Sequence, residues 1–290
     1  MPKLTEVITK DFLSQLDHFA VKMDSLLING YSGLRKSRAK GMSLEFSDFR
    51  PYSLGDDLRR IDWNSYGRFD KLFVKLFMEE KQGNINIFLD NSLSMDDGKI
   101  KKFFYGKHLS AAISYIGLRN MDVVNLFACG KTINAEKKNI KSKNLFFDIV
   151  KFLDEIPLDY ETTLTQSIMG LKNYPMAKGI SFIISDFFSQ DGYEEAVKLL
   201  QYKKQQVILV QILSPEEMNP SLRGNFRLID KESGQFKDIE LTEDKIEAYK
   251  KALKNFQAQI QSFCMQRGQQ YICLSTDIPI LEGLKQCLGE

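Results

Sequence analysis

The residues best equipped for chemistry lie in Asn84 to Gly98, NINIFLDNSLSMDDG. Asp90, Ser92 and Ser94 form the pattern Asp-x-Ser-x-Ser, which offers one carboxylate and two hydroxyl oxygens within five residues. Such a set suits a hard, octahedral, oxygen-loving cation such as Mg²⁺. Ile85, Ile87, Phe88 and Leu89 read as a buried strand that runs out at Asp90, and Asp96-Asp97-Gly98 signals a loop, so this chemistry would sit where a strand ends. Gly179 to Asp186, GISFIISD, repeats the grammar: an apolar, β-branched run terminated by an aspartate. Between the two, Asp159 to Leu171, DYETTLTQSIMGL, places Thr162, Thr163 and Thr165 in a loop running into a helix. A threonine there either caps the helix or lends its hydroxyl to a metal, and turn or helix capping is the plain alternative for Asp90 and Asp186 too.

The elements that must position these residues alternate. Lys101 to Arg119 has apolar spacing suited to a helix packed on a sheet, Met121 to Ala128 is a second buried strand, and Gly130 to Glu136 a short edge strand. Leu145 to Glu155 reads as a helix ending at Pro157, and a further helix is expected from about Asp191 to Leu200. Gln205 to Leu213 is another continuous apolar strand. The alternation implies a mostly parallel central sheet with helices on both faces, whose ligand crevice lies beyond the carboxyl ends of the strands at the switch in strand order. Asn225 to Leu241 interrupts with a hairpin around Glu232-Ser233-Gly234. Thr242 to Arg267 is a long helix closed by Gly268, Tyr271 to Leu274 returns to the sheet, and Ile280 to Leu288 is a last helix.

Upstream, Thr5 to Asn29 carries a helical stripe. Arg35, Lys36, Arg38 and Lys40 form a short basic cluster read as an exposed loop. Leu44 to Tyr52 and Leu72 to Met78 have strand-like composition, and Ser53 to Asp57 is turn-like, leading into a short helix through Trp63. Arg59, Arg60, Asp62, Trp63 and Arg68 crowd together and are expected to brace this segment as a partly buried ion-pair and stacking network. The organisation expected is residues 1–82 as an N-terminal helix plus a β-rich segment, then residues 83–290 as the sheet domain with a hairpin insertion near 225–241.

Composition narrows the function classes. Forty basic against 38 acidic residues leave a net charge of +2, too balanced to attract nucleic acid by itself. No uncharged run approaches the roughly 18 residues of a membrane span, and the N-terminus lacks the plan of a secretory signal, so a cytoplasmic chain is expected. The four cysteines show no metal-binding spacing, and two histidines are too few for a histidine-built zinc site. There is no Gly-x-x-x-x-Gly-Lys phosphate loop and no Gly-x-Ser-x-Gly elbow around Ser92 or Ser94. A Mg²⁺-dependent phosphatase-like hydrolase is the enzymatic alternative, but such enzymes need a second aspartate two residues after the first, and Ser92 stands there. A structural scaffold with a vestigial site is the third reading.

Asp-x-Ser-x-Ser after the first sheet strand, a later threonine and an aspartate after a further strand together resemble the von Willebrand factor type A fold and its metal-ion-dependent adhesion site. The upstream stretch FRPYSLGDDLRRIDWNSYGR, followed by LFVKLFMEE, resembles the signature of domain of unknown function family 58, whose members join it to such a domain. The resemblance runs from about Gly41 to the C-terminus. It implies a metal site of Asp90, Ser92, Ser94, Thr162 and Asp186, holding Mg²⁺, Mn²⁺ or Ca²⁺ with one position left for an acidic side chain of a protein partner. It further implies a non-enzymatic adaptor that works with a MoxR-type AAA+ ATPase, or its client, in assembly or remodelling of other proteins. Two features depart from the pattern. Glu161 stands where related domains usually have glycine, which makes Thr163 an alternative to Thr162, and the membrane helices many members carry ahead of the domain have no counterpart here.

Overall fold

The computed structural model describes residues 3–27, 44–69, 71–79, 83–159, 163–220, 224–229 and 236–289. The chain forms two compact units, Met1–Ala20 together with Gly83–Glu290, and Val21–Gln82. The second unit ends at Gln82, and the first twenty residues group with the sheet that starts after it. The basic cluster Arg35 to Lys40 and the hairpin turn Glu232 to Gly234 lie outside the described residues, as does Thr162.

The larger unit opens with α1 (Leu4–Val7) and α2, which spans Lys10–Leu27 and continues beyond the unit. One lead-in helix was expected; the break falls at Thr9, whose hydroxyl accepts from the Phe12 amide at 3.2 Å and so starts a new helix. Early residues are tied to the sheet domain by side chains. Asp154 accepts from the amides of Leu4 (2.7 Å) and Thr5 (3.2 Å), and Asp17 accepts from the Tyr115 hydroxyl (3.0 Å) and Arg119 (3.1 Å). The small unit contains an antiparallel pair, β1 (Leu44–Pro51) with β2 (Phe73–Glu79), and α3 (Trp63–Phe69). Its bracing differs from expectation. One ion pair is Arg50 with Asp56, two-pronged at 2.6 and 2.8 Å; Arg59, of the residues expected to brace, pairs with Asp57 at 3.1 Å but at the surface, and Trp63 begins α3, lies 62% exposed and meets Tyr66 edge-on.

The sheet contains β3 (Asn84–Asp90), β4 (Val123–Cys129), β5 (Ile133–Ile140), β6 (Gly179–Ser185), β7 (Gln205–Leu213) and β10 (Gln270–Ser275) in the order β10-β7-β6-β3-β4-β5. All neighbours are parallel except the edge strand β5. This is the mostly parallel, two-faced sheet expected, and β3, β4, β6 and β7 are buried almost end to end, as strands covered on both sides must be. The helices are α4 (Lys102–Arg119), α5 (Phe146–Glu155), α6 (Leu164–Met169), α7 (Glu194–Tyr202), α8 (Pro215–Met218), α9 (Glu243–Gln266) and α10 (Ile280–Leu288). A hairpin, β8 (Gly224–Ile229) with β9 (Phe236–Leu241), precedes α9 as the insertion reading required.

Strand alternation assigns the two faces. Phe88, Phe127, Ile183 and Leu209 pack with residues of α6, α7 and α9. Ile85, Leu89, Ile184 and Ile212 face α4, which lies close to the sheet because Gly106 and Gly117 carry no side chain. A Cβ on Gly106 would stand 2.9 Å from Leu89, and one on Gly117 2.6 Å from Ile85. These glycines are about three helical turns apart and mark the sheet-facing stripe of α4. Lys102 is one turn before Gly106, on that same stripe, at the end of α4 over the carboxyl ends of the strands.

Candidate functional site

In this order β3 is the switch point, since β4 lies on one side of it and β6 on the other. The crevice beyond β3 and β6 is where ligands bind in such sheets, and Asp90 and Asp186 stand there, each 1% exposed. Asp90 is held from two directions. The Ser92 amide donates to its Oδ1 at 2.9 Å, and the Ser185 hydroxyl donates to its Oδ2 at 2.5 Å. Ser185 faces Asp90 because β3 and β6 run in register, Leu89 beside Ile184. Ser92 opens a single 3-10 turn, Leu93–Met95, which brings the hydroxyls of Ser92 and Ser94 to 2.9 Å from one another.

Asp186 is one residue further along and so points toward the α4 side. Its Oδ1 accepts from the Phe188 amide at 3.1 Å, and its Oδ2 accepts from the Lys102 ammonium at 2.8 Å. The turn is tight: Phe187 has φ +61°, and its amide donates to the Ser185 hydroxyl at 2.8 Å. Lys102, itself 1% exposed, also donates to Glu217 of α8 at 2.6 Å. Burial and then the charge of Asp186 push the Asp90 carboxyl up to about 7, against the opposing hydrogen bonds from Ser185 and Ser92. Burial pulls Lys102 down, but Asp186 and Glu217 outweigh it and the ammonium is held above its usual range.

The third loop also reaches this rim. The Asp159 amide donates to the Asn91 carbonyl at 2.7 Å, making an isolated bridge with Ser92, and the Asp159 carboxylate accepts from the backbone amide of Lys131 and the side-chain amide of Asn134 beyond β4. Thr163, the alternative ligand, donates its hydroxyl to the Lys131 carbonyl at 3.2 Å, and Thr165 donates to the Gly192 carbonyl at 2.7 Å. Both hydroxyls are thus engaged by backbone.

Among the described residues no group of three or more His, Cys, Asp or Glu side chains is arranged to hold a metal ion. The rim offers a different donor set, two carboxylates and the paired hydroxyls of Ser92 and Ser94. It fits a hard divalent cation in chemistry, because all four are oxygen donors, and a cation would offset both the burial and the neighbouring Asp186 charge that raise Asp90. Of the residues the sequence pattern named, Asp90, Ser92, Ser94 and Asp186 stand at these strand ends; Ser185, Lys102 and Glu217 were not among them. Glu217 had a local signal, the Ser214-x-x-Glu217 capping box, in which Ser214 accepts from the Glu217 amide at 3.2 Å.

The chain is similar to several known proteins. An uncharacterized protein of Mycobacterium tuberculosis, Rv1480, is 21% identical over 261 residues, covering 88% of this chain and 81% of that protein. Among solved structures, an aerotolerance-related membrane protein from Bacteroides fragilis is similar over 71% of this chain and 96% of its own, at 16% identity and a TM-score of 0.45. The SpRpn10 VWA domain is similar over 70% and 94%, at 10% identity and a TM-score of 0.41. Residues 48–259, well over half of the chain, match the family described as Protein of unknown function DUF58, and the chain belongs to that family.

Proposed function

We propose that the chain is a non-enzymatic protein-interaction module whose rim of Asp90, Ser92, Ser94 and Asp186 takes a divalent cation, Mg²⁺ foremost and Mn²⁺ or Ca²⁺ as alternatives. The observation that carries this reading is that two buried aspartates stand at the switch point of the sheet, ending β3 and following β6, with the paired Ser92 and Ser94 hydroxyls in the loop that continues from Asp90. When bound, the ion would supply an open position that an acidic side chain of a partner can fill. The chain's own residues prepare for that. Ser185 and the Ser92 amide fix the orientation of Asp90, and the bridge between Ser92 and Asp159 holds the Asp-x-Ser-x-Ser loop against its neighbour.

A hydrolase is the less supported reading because the neutral Ser92 hydroxyl occupies the position where a general acid would stand. The partner we propose is a MoxR-type AAA+ ATPase or its client, in a cytoplasmic assembly or remodelling role. Among the described residues no helix is long and apolar enough to cross a membrane. Calorimetric titration with Mg²⁺ and Mn²⁺ tests the metal: heat with wild type that disappears in Asp90→Ala supports it, and equal heats in both remove it. Pull-down with and without chelator tests the bridge, and recovery of the same partner at the same yield under chelation counts against it.

A further inference from the structure

Lys102 is the one feature of the rim that an adhesion site has no obvious use for. A lysine ammonium is costly to bury, and it stays charged only where carboxylates compensate it. Here it lies 1% exposed between two of them, 2.8 Å from Asp186 Oδ2 and 2.6 Å from Glu217 Oε1. Glu217 cannot drift, because its other oxygen accepts from the Ser214 amide at 2.7 Å in the capping box of α8. The segment after the Asp-x-Ser-x-Ser motif runs close to the same cap: a Cβ added to Gly98, at φ +87°, would stand 2.7 Å from Ser214 Cβ, and the Lys102 amide donates to the Asp97 carbonyl at 3.2 Å. Phe188, the residue whose amide donates to Asp186, has its ring centre 5.7 Å from the Lys102 ammonium. The ammonium is therefore clamped at the edge of the rim, with one candidate ligand of the ion as one of its two anchors.

Resting on the metal reading above, we propose that Lys102 is a built-in competitor cation for Asp186, and that Glu217 is the positioning residue that draws it partly away. A fixed positive charge against Asp186 lowers the pull of that carboxylate on any divalent ion, so the resting site is weak. Glu217 moderates the competition by sharing the ammonium. The two residues thereby set the metal affinity, although neither is expected to touch the ion. The occupancy of the site, and with it the docking of an acidic partner, is tuned by a contact between α4 and α8 that lies outside the Asp-x-Ser-x-Ser loop.

The two residues should act with opposite sign. Lys102→Met, which keeps the length of the side chain without its charge, should bind Mn²⁺ at least about tenfold more tightly than wild type. Glu217→Gln, which leaves the ammonium wholly on Asp186, should bind several-fold more weakly, and that loss should vanish in the Lys102→Met/Glu217→Gln double variant. Mn²⁺ dissociation constants by calorimetry and by electron paramagnetic resonance, with thermal melts to confirm folding, give the readout; a merely structural role would lower the melting temperature without tightening the metal. Lys102→Gln replaces Lys102→Met if the latter does not fold. With Asp90→Ala as the control, Mn²⁺ bound by wild type but no more tightly by Lys102→Met overturns the competitor proposal alone, as does a Glu217→Gln effect that persists in the double variant. Binding seen only once Lys102 is neutralised, and lost again on adding Asp90→Ala, supports it strongly. Silence from every variant overturns both this proposal and the metal reading beneath it.

Discussion

Replacing Asp90 by asparagine should stabilise the metal-free protein, although the residue is buried and hydrogen-bonded. Burial and the neighbouring Asp186 raise the Asp90 carboxyl from 3.8 to about 7. A carboxyl whose folded value lies above its unfolded one favours the folded state while protonated, and that advantage is lost as pH climbs from about 4 through about 7. At pH 8 the ionised form costs up to about 4 kcal/mol, three pKa units at about 1.4 kcal/mol each. The amide keeps the oxygen that accepts from Ser92, but turns its NH2 toward a Ser185 hydroxyl that had been donating, a neutral mismatch that costs about 1–2 kcal/mol. The net gain is about 2 kcal/mol, or roughly 4–8 °C in melting temperature for a domain of this size. Thermal and urea unfolding in chelator, at pH 8 and pH 5, would measure it. The gain should shrink to near zero at pH 5, where wild-type Asp90 is already largely protonated. Added Mg²⁺ should stabilise wild type and leave the variant unmoved. An Asp90→Asn protein less stable than wild type at pH 8, or equally improved at both pH values, would refute the idea that two buried carboxylates oppose one another at this rim.

Two more expectations follow from packing. His108 is half-buried against Phe12, ring centres 4.7 Å apart, with Nε2 buried and unpartnered, and burial pushes its imidazole down to about 4. Its contribution is complete above about pH 6.5 and lost as pH falls through about 4, so His108→Leu should move the acid-unfolding midpoint downward, the wild-type penalty being about 3 kcal/mol at most. Gly179 opens β6 where an added Cβ would collide with the backbone carbonyl of Asn84 on β3. Gly179→Ala should cost about 3 kcal/mol or more. It should also weaken Mn²⁺ binding, because the pairing it strains is the one that sets Ser185 beside Asp90. Urea midpoints and calorimetry check both effects; an unchanged midpoint in Gly179→Ala would mean that the strands separate at this end without consequence.

The legible part of this protein is the part governed by local periodicity. NINIFLD and GISFIISD announce buried strands through unbroken apolar runs, and their terminal aspartates therefore had to emerge together on the carboxyl side of a parallel sheet. The hairpin at 224–241 and the long helix closed by Gly268 were readable for the same reason, from turn residues and a sustained stripe. Expectations failed where a single side chain decided. The Thr9 hydroxyl restarts a helix that the stripe alone would continue, and Trp63 opens a helix at the surface instead of closing one in a buried cluster.

Lys102 shows why the rest of the rim stayed hidden. In KIKKFFYG the lysines read as solvated charge, since apolar spacing counts only apolar residues. The clue was its partner four residues on: Gly106 has no apolar weight either, yet it marks the face that α4 turns to the sheet. A lysine on a glycine-marked stripe at the first turn of a buried helix must either leave the protein or meet an acid at the strand ends. Strand parity then names the acid. Ser185, in register beside Asp90, falls to that carboxylate, so Asp186, the next residue, is turned to the α4 face and receives the ammonium. The Ser214-x-x-Glu217 box announces a helix cap, but no local pattern pairs Glu217 with Lys102, 115 residues away in sequence and brought to it only because β7 ends where α4 begins. A donor set can thus be read from a motif, whereas the charges that adjust its affinity come from helix ends whose placement only the assembled sheet determines.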